Sequence, residues 1–174
     1  TAEGARRLLR KDGSMPHSLD PGQSAPLETA ALLTGLSKHI ALAQDRKLAR
    51  SFYPILKQST GYLLALSKDY RVSPLADVPQ GWRRLMVTGY PTGEVPEVTY
   101  AVAESLRAAS MASKLLGKSE EAGKFRERAE MIADSARKRL FDERGIPFLC
   151  VDGSGKQRDE DTIDMALVAY RGAS

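Results

Sequence analysis

Apolar and polar positions recur along the chain with helical spacing, in two long stretches that share one design. Each stretch begins near a proline and holds an apolar, small-residue helix, a short turn and a more polar partner helix. The first begins at Pro26 and the second at Pro96, and a third copy begins near Thr162. This recurrence predicts an all-α fold made of antiparallel helical hairpins.

The first hairpin is predicted to pair a helix at Pro26–Ala43 with a helix ending near Leu66, around a turn at residues 44–46. The second is predicted to pair Glu94–Leu116 with Ser119–Phe141. The first helix of each pair is rich in small and apolar residues, whereas Ser119–Phe141 is highly charged. This contrast predicts inner helices that lie side by side and a charged helix that lies outside them.

Other segments lack helical spacing. Proline and glycine in Met15–Ser24 predict an irregular loop, and Pro54 predicts a kink or a helix start within the first partner helix. Residues 67–93 predict a long loop, whose length is more typical of a functional loop than of a simple connection. An apolar run followed by Asp152-Gly153 predicts a small β-hairpin near residues 146–157.

Length, composition and charge limit the classes of protein to which the chain can belong. A length of 174 residues with 42% hydrophobic content is enough for a single compact domain over residues 1–174. The net charge is only +4 and the basic residues are scattered, which argues against nucleic acid as a partner. No apolar run approaches the ~20 residues that span a bilayer, so no membrane partner is predicted.

Candidate metal and disulfide residues are few. A single cysteine, Cys150, cannot form an intrachain disulfide, which favours a reducing, cytoplasmic compartment without excluding secretion. His17 has no suitably spaced histidine or cysteine near it, so no metal site and no cofactor are predicted.

Four segments, taken in order, carry a resemblance to a known superfamily. They are Asp12-Gly13-Ser14-Met15-Pro16-His17 before the first inner helix, Gly81-Trp82-Arg83-Arg84 in the long loop, Gly93–Val98 at the start of the second inner helix, and Asp164–Leu167 at the third. This order and spacing resemble the six-hairpin (α/α)6 glycosidases. That superfamily includes glucoamylase-like enzymes, bacterial amylo-α-1,6-glucosidases, glycogen-debranching domains and α-rhamnosidases.

The resemblance implies a toroid in which six inner helices surround a funnel and the loops before them form a sugar site. A complete toroid at this repeat length would need roughly 400 residues, so the chain resembles about half of one. The chain begins inside one helical pattern and stops just after another, and we expect both ends to be cut from a longer protein.

The resemblance also implies a carbohydrate ligand and inverting hydrolysis of oligosaccharides. In that chemistry one carboxylic acid protonates the leaving oxygen and a carboxylate ~6.5–9.5 Å away activates water. In related enzymes the second carboxylate comes from a later hairpin, so the 174-residue chain alone is expected to be inactive or nearly so. The candidate catalytic residues are Glu97, Asp77 and Glu94, and the candidate substrate-binding residues are Trp82, Arg83, Arg84, Tyr90, Asp161 and Asp164.

Each candidate also has an ordinary structural interpretation. Trp82 could anchor its loop on the core rather than stack on a sugar. Glu94 and Glu97 could only stabilise a helix start, and Arg83 or Arg84 could only form ion pairs with them. Asp161 belongs to an acidic run that could be merely solvated, and Asp164 could cap a helix.

Other functions are compatible with the same fold. Sugar epimerases and unsaturated-uronide hydrolases use similar toroids, so the fold does not determine the reaction. A helical array can also be a non-catalytic scaffold or a carbohydrate-binding fragment. In each case an incomplete toroid would leave inner helices uncovered, which predicts self-association through an open helical edge or contact with the missing remainder of the barrel.

Overall fold

A computed structural model describes residues 2–16, 24–72, 93–148, 150–151 and 154–158. Over these ranges the chain is mainly α-helical, and its strands form three small two-stranded antiparallel sheets. The helices are α1 (Ala2–Leu8), α2 (Pro26–Ala43), α3 (Arg46–Ala65), α4 (Pro96–Leu115) and α5 (Ser119–Arg139). The strands are β1 (Met15–Pro16), β2 (Ser24–Ala25), β3 (Ser67–Lys68), β4 (Arg71–Val72), β5 (Cys150–Val151) and β6 (Gln157–Arg158).

Helices α2 and α3 form the first antiparallel hairpin, around the turn expected at residues 44–46. Gln44 adopts a left-handed conformation (φ 53°) that ends α2, and its backbone N–H donates to the carbonyl of Ile40. The Asp45 carboxylate then caps α3 by accepting a hydrogen bond of 2.8 Å from the backbone N–H of Leu48. Because α3 begins at Arg46 and includes Pro54, that proline does not start the helix.

Helices α4 and α5 form the second hairpin, which turns at Gly117. This glycine has φ 76°, a conformation that favours glycine over other residues, and it donates to the Lys114 carbonyl at 2.9 Å. Acidic residues occupy the first turn of α5 and basic residues its last turn, as the helix dipole favours. Only 6 of the 21 residues of α5 are buried, whereas 13 of the 20 in α4 are. The predicted contrast between an inner and an outer helix is therefore confirmed.

Contacts between the hairpins establish the helix directions. The Tyr53 hydroxyl donates to Glu121 near the start of α5, and further along both helices Arg128 donates to the carbonyl of Ser67. Helices α3 and α5 therefore run parallel. Since each is antiparallel to its own inner helix, α2 and α4 also run parallel, and the Lys38–Glu104 ion pair of 2.6 Å joins them.

All the long helices contribute to one core. Residues with no more than 1% of their surface exposed include Phe52, Ile55, Leu56 and Leu63 from α3, Leu33 and Ile40 from α2, Val98, Val102 and Leu106 from α4, and Ile132 from α5. Within the described ranges, no helix is both long enough and apolar enough to cross a membrane.

Two segments that were expected to be irregular contain short strands. Strands β1 and β2 pair Met15 with Ala25 across the expected loop, and the Met15 backbone N–H donates to the Thr29 hydroxyl at 2.8 Å. The expected long loop begins with a hairpin of β3 and β4. Its turn residues, Asp69 (φ 50°) and Tyr70 (φ 60°), both have positive φ, which is the geometry of a tight hairpin turn.

The start of α4 also differs from the prediction. Glu94 was expected to open this helix, but it forms a β-bridge with Val151 and the helix begins at Pro96. Val95 is extended (φ −110°, ψ 124°), because the residue before a proline disfavours the helical conformation. The small hairpin expected near residues 146–157 is confirmed by the pairing of β5 with β6. The third helical copy, from Thr162, lies outside the described residues.

Candidate functional site

One end of the structure gathers the starts of α2 and α4, the ends of α3 and α5, and the short sheets. The Ser59 hydroxyl of α3 donates to the Gly13 carbonyl, two residues before β1, at 2.8 Å, and β1 pairs with β2, which directly precedes α2. At the start of α4, Glu94 contacts Arg139 at the last residue of α5. We call this end the rim and define it by residues 10–16, 24–29, 67–72, 93–98, 139–141 and 150–151.

Glu94 lies at the centre of a buried ion-pair cluster on the rim. Its side chain is only 3% exposed, and Arg139 donates to both of its carboxylate oxygens, to Oε1 at 2.7 Å and also to Oε2. Arg71 donates from Nε to Oε2 at 3.3 Å. Bidentate pairing of this kind fixes the orientation of a carboxylate. With both oxygens engaged, Glu94 is placed to hold elements together rather than to exchange a proton with a ligand.

The Glu94 backbone extends the same cluster. Its N–H donates to the Val151 carbonyl at 2.8 Å, and its carbonyl accepts from the Val151 N–H at 2.9 Å. On the other side, Ser135 holds Arg139 in place through its hydroxyl at 2.8 Å from Nη2. Glu94 therefore joins β4, β5, the start of α4 and the end of α5.

Glu97, the other candidate in the described part of the chain, has a different setting. It lies in the first turn of α4, where the helix dipole favours a negative charge, and its side chain is partly exposed. It precedes Glu104 and Met111 by one and two heptads, so the three residues follow one stripe of the helix. Glu104 is paired with Lys38 of α2 and Met111 is exposed. Glu97 therefore lies on the stripe of α4 that borders α2.

A second polar cluster surrounds Asp12 on the α2 side of the rim. Its carboxylate accepts hydrogen bonds from the Ser14 backbone N–H at 2.9 Å, from the Ser14 hydroxyl at 2.7 Å and from the Ser24 hydroxyl at 3.3 Å. Burial acts to raise the pKa of Asp12, but the hydrogen bonds from Ser14 and Ser24 outweigh it, so the pKa lies below 3.8. These hydrogen bonds thus join residues 12–14 to Ser24 beside the start of α2.

Gly13 explains why this segment follows α3 so closely. Its φ is 91°, and a Cβ placed there would lie 2.4 Å from the carbonyl oxygen of Gln58. Only glycine fits both the conformation and the space. The Asp-Gly-Ser part of the sequence pattern therefore positions the rim by backbone contact.

Tyr62 lies close to this cluster. Its hydroxyl is buried and forms no hydrogen bond that meets standard geometry with the described residues. Burial raises the pKa of Tyr62 to about 12, against the lowering effect of the nearby Ser24 hydroxyl and the Arg10 charge. The negative charges of Asp12 and Glu28 also raise this pKa. The phenol is therefore neutral over the physiological range.

The sequence offered no local signal for several residues in or beside the rim. Arg71 and Arg139 are distant in sequence from Glu94, and Tyr62 resembles an ordinary core aromatic in a helical pattern. Asp12 was part of the recognised pattern, but it was not among the chosen site residues.

Seven of the nine predicted site residues cannot be placed in this geometry. Their convergence on a common surface stays a prediction, because they lie outside the described residues: Asp77, Trp82, Arg83, Arg84, Tyr90, Asp161 and Asp164. In the part of the chain that is described, no three His, Cys, Asp or Glu side chains are grouped to hold a metal ion. Cys150 is buried as a free thiol.

Comparison with known proteins gives one structural likeness to report. No family model matches the sequence, and no curated protein matches it. Among solved structures, the chain is similar to a GH78 family rhamnosidase of Bacillus sp. GL1, with a TM-score of 0.73 and 18% sequence identity. The chain therefore shares the helical fold of the matched part of that structure. The match covers 99% of this chain and 19% of the rhamnosidase, so the chain spans about a fifth of that protein's length.

Proposed function

We propose that this chain is part of a six-hairpin (α/α)6 glycoside hydrolase that acts on oligosaccharides by a two-carboxylate inverting mechanism in the full-length protein. The observation that carries the proposal is the parallel arrangement of α2 and α4, whose starts share one rim. A toroid of this type needs that arrangement in order to bring its substrate-binding loops together. The likeness to a rhamnosidase makes α-rhamnosides one substrate class to test.

Within this proposal, Glu97 and Glu94 have different roles. Both oxygens of Glu94 are held by arginines, so Glu94 acts as a positioning residue for the rim. Glu97 is partly exposed at a helix start on the same rim, and it is the better candidate for general acid or base. Asp77 remains the third catalytic candidate.

The remaining candidates would bind the sugar. Trp82 would provide a stacking surface, and five polar or aromatic residues would contact hydroxyl groups. Val72 and Gly93, the residues on either side of the segment that carries Trp82, both belong to the rim, and the Arg71–Glu94 ion pair joins the residues beside them. The proposed hydroxyl-binding residues are Arg83, Arg84, Tyr90, Asp161 and Asp164.

One observation favours a second candidate function, carbohydrate binding without catalysis. Both carboxylate oxygens of Glu94 are held by arginines, which makes Glu94 a poor general acid or base. Inversion needs two carboxylates, so a chain that supplied only one would bind a glycan without cleaving it.

Binding and turnover, measured separately on the purified chain, test the proposal. Isothermal titration calorimetry with rhamnose-containing oligosaccharides and with maltooligosaccharides is expected to detect binding. In a separate turnover assay, the chain is expected to cleave aryl α-rhamnosides and maltooligosaccharides hardly at all. Trp82→Ala should weaken binding by about 1–3 kcal/mol, as loss of a stacking partner does, with unchanged helicity by circular dichroism. Met131→Ala, on the outer helix α5, is the matched control and should bind normally.

Two results would count against these assignments. Absence of binding to every glycan tested would remove the carbohydrate assignment, and unfolding of Trp82→Ala would make that residue an anchor. Efficient turnover that Glu97→Gln abolishes would instead show that the chain is catalytically complete, against the expectation of low activity.

A further inference from the structure

Helix α2 is more apolar than its surroundings require. Of its 18 residues only three carry an ionisable side chain. A helix that is apolar around most of its circumference is normally buried on all sides. Here one side faces the core, while Ala31, Gly35 and Leu42 on the opposite side are exposed. Leu42 is 80% exposed, the highest value among the exposed large apolar residues of the described chain.

The exposed surface continues onto α4 through the Lys38–Glu104 ion pair. Leu42 follows Lys38 by one helical turn and Met111 follows Glu104 by two, so these two residues lie at the same end of the parallel helices. Met111 is 45% exposed. We call this surface the open face and define it as Ala31, Gly35, Lys38 and Leu42 of α2 with Glu104 and Met111 of α4.

The shape and charge of the open face fit a second copy of itself. A Cβ at Gly35 would meet no atom within 4 Å, so another helix could approach the α2 backbone closely at this level. The face carries one cation and one anion at the same height along the helices. A two-fold axis that runs parallel to the helices, over the boundary between α2 and α4, brings Lys38 of each copy to Glu104 of the other.

We propose that a second copy of this chain covers the open face and forms a two-fold symmetric dimer. Leu42 and Met111 provide apolar contact, and the Lys38–Glu104 pairs bridge the copies. The proposal does not rest on the sugar site at the rim, so glycan binding and dimerisation can fail independently.

Sedimentation velocity and light scattering test the apolar part of this interface. The chain should be dimeric, and Leu42→Asp should weaken dimerisation at least 100-fold, because it places a carboxylate in the apolar contact. Met131→Asp is the matched control. Met131 is an exposed methionine of the outer helix α5, at 38%, and its substitution should leave the dimer unchanged. Circular dichroism checks that both variants keep their helices.

Reversing the charge of Lys38 or of Glu104 distinguishes an ion pair between two copies from an ion pair within one copy. Lys38→Glu leaves two carboxylates on the open face, and Glu104→Lys leaves two ammonium groups. Each variant alone should therefore be largely monomeric. Mixing the two should restore a dimer that contains one of each, which an ion pair within a single chain cannot explain. A monomeric wild type, or a dimer that Leu42→Asp and the mixing experiment leave unaffected, would overturn the proposal.

Discussion

The two hairpins follow one design but differ in how completely their inner helices are enclosed. Helix α4 buries 13 of its 20 residues, whereas α2 buries 6 of 18 although it is just as rich in apolar and small residues. The cause is position. Helix α4 lies between α2 and α5 and also contacts α3, while among the described helices α2 contacts mainly α3 and α4. The two inner helices therefore differ in burial because of their positions among the described helices and not because of their composition.

Substituting one leucine in each inner helix should give the largest difference in the free energy of unfolding between the two hairpins. Leu106 is fully buried in α4, so Leu106→Ala should lower the free energy of unfolding by about 2–5 kcal/mol through lost contacts and a cavity. Leu42→Ala in α2 should change it by about 0.5 kcal/mol or less. Urea denaturation at a concentration where the chain is monomeric measures both values. Equal losses would mean that α2 is enclosed as completely as α4.

Breaking the ion-pair cluster that anchors the enclosed helix should have the next largest effect. Glu94→Gln leaves Arg139 and Arg71 without their carboxylate, and we expect a loss of about 2–3 kcal/mol. Arg71→Gln, which removes the half-exposed partner, should cost about 1 kcal/mol or less. Guanidinium denaturation is unsuitable because its salt screens charges, so urea is used. Similar losses for the two variants would contradict the central position of Glu94.

The turns that precede α3 and α5 allow a further test of the two hairpins, with a smaller expected effect on stability. Helix α3 is capped by the Asp45 side chain, whereas Lys118 provides no side-chain cap for α5. Asp45→Ala should therefore lower the midpoint of thermal unfolding, in line with a loss of about 1 kcal/mol. Lys118→Ala is the control and loses only the contact of its ammonium group with the Tyr53 ring, 4.4 Å away. A larger effect of Lys118→Ala would show that this cation–π contact outweighs the cap.

The smallest effect concerns acid stability on the α2 side of the rim. Because the pKa of Asp12 is lower in the folded chain than the ordinary value of 3.8, its ionised form stabilises the fold above that pH. This contribution should disappear as the pH falls from 3.8 through the lower folded pKa. Urea titrations at a series of acidic pH values should show a shallower decline for Asp12→Asn. An unchanged slope would mean that the hydrogen bonds from Ser14 and Ser24 do not stabilise the carboxylate.

The helices were predictable because their signals are local. Prolines at the starts of α2 and α4, the glycine after α4 and the periodic apolar residues all lie within the segments that they define. The hairpin at residues 67–72 was missed because its turn uses Asp69 and Tyr70 at positive φ, without the glycine that usually marks such a turn.

The rim could be predicted only in part, because its contacts join distant residues. The sequence pointed to both Glu94 and Glu97, but it could not distinguish them. Only tertiary structure brings Arg139, 45 positions away, onto Glu94. The bridge to Val151 is equally non-local, and it is the reason why Glu94 lies outside the helix.

The pairing of Arg71 with Glu94 has a consequence for how this protein could diversify. The pair joins positions that are 23 residues apart, so the ends of the intervening segment are fixed by the helical framework. Loop-closure entropy depends only weakly on length, and doubling the length of a loop with fixed ends costs only about 0.6 kcal/mol. Insertions and deletions between the two residues are therefore thermodynamically inexpensive. Evolution could vary the length of this segment, and with it the choice of ligand under the proposed function, while the helices beside it keep their stability.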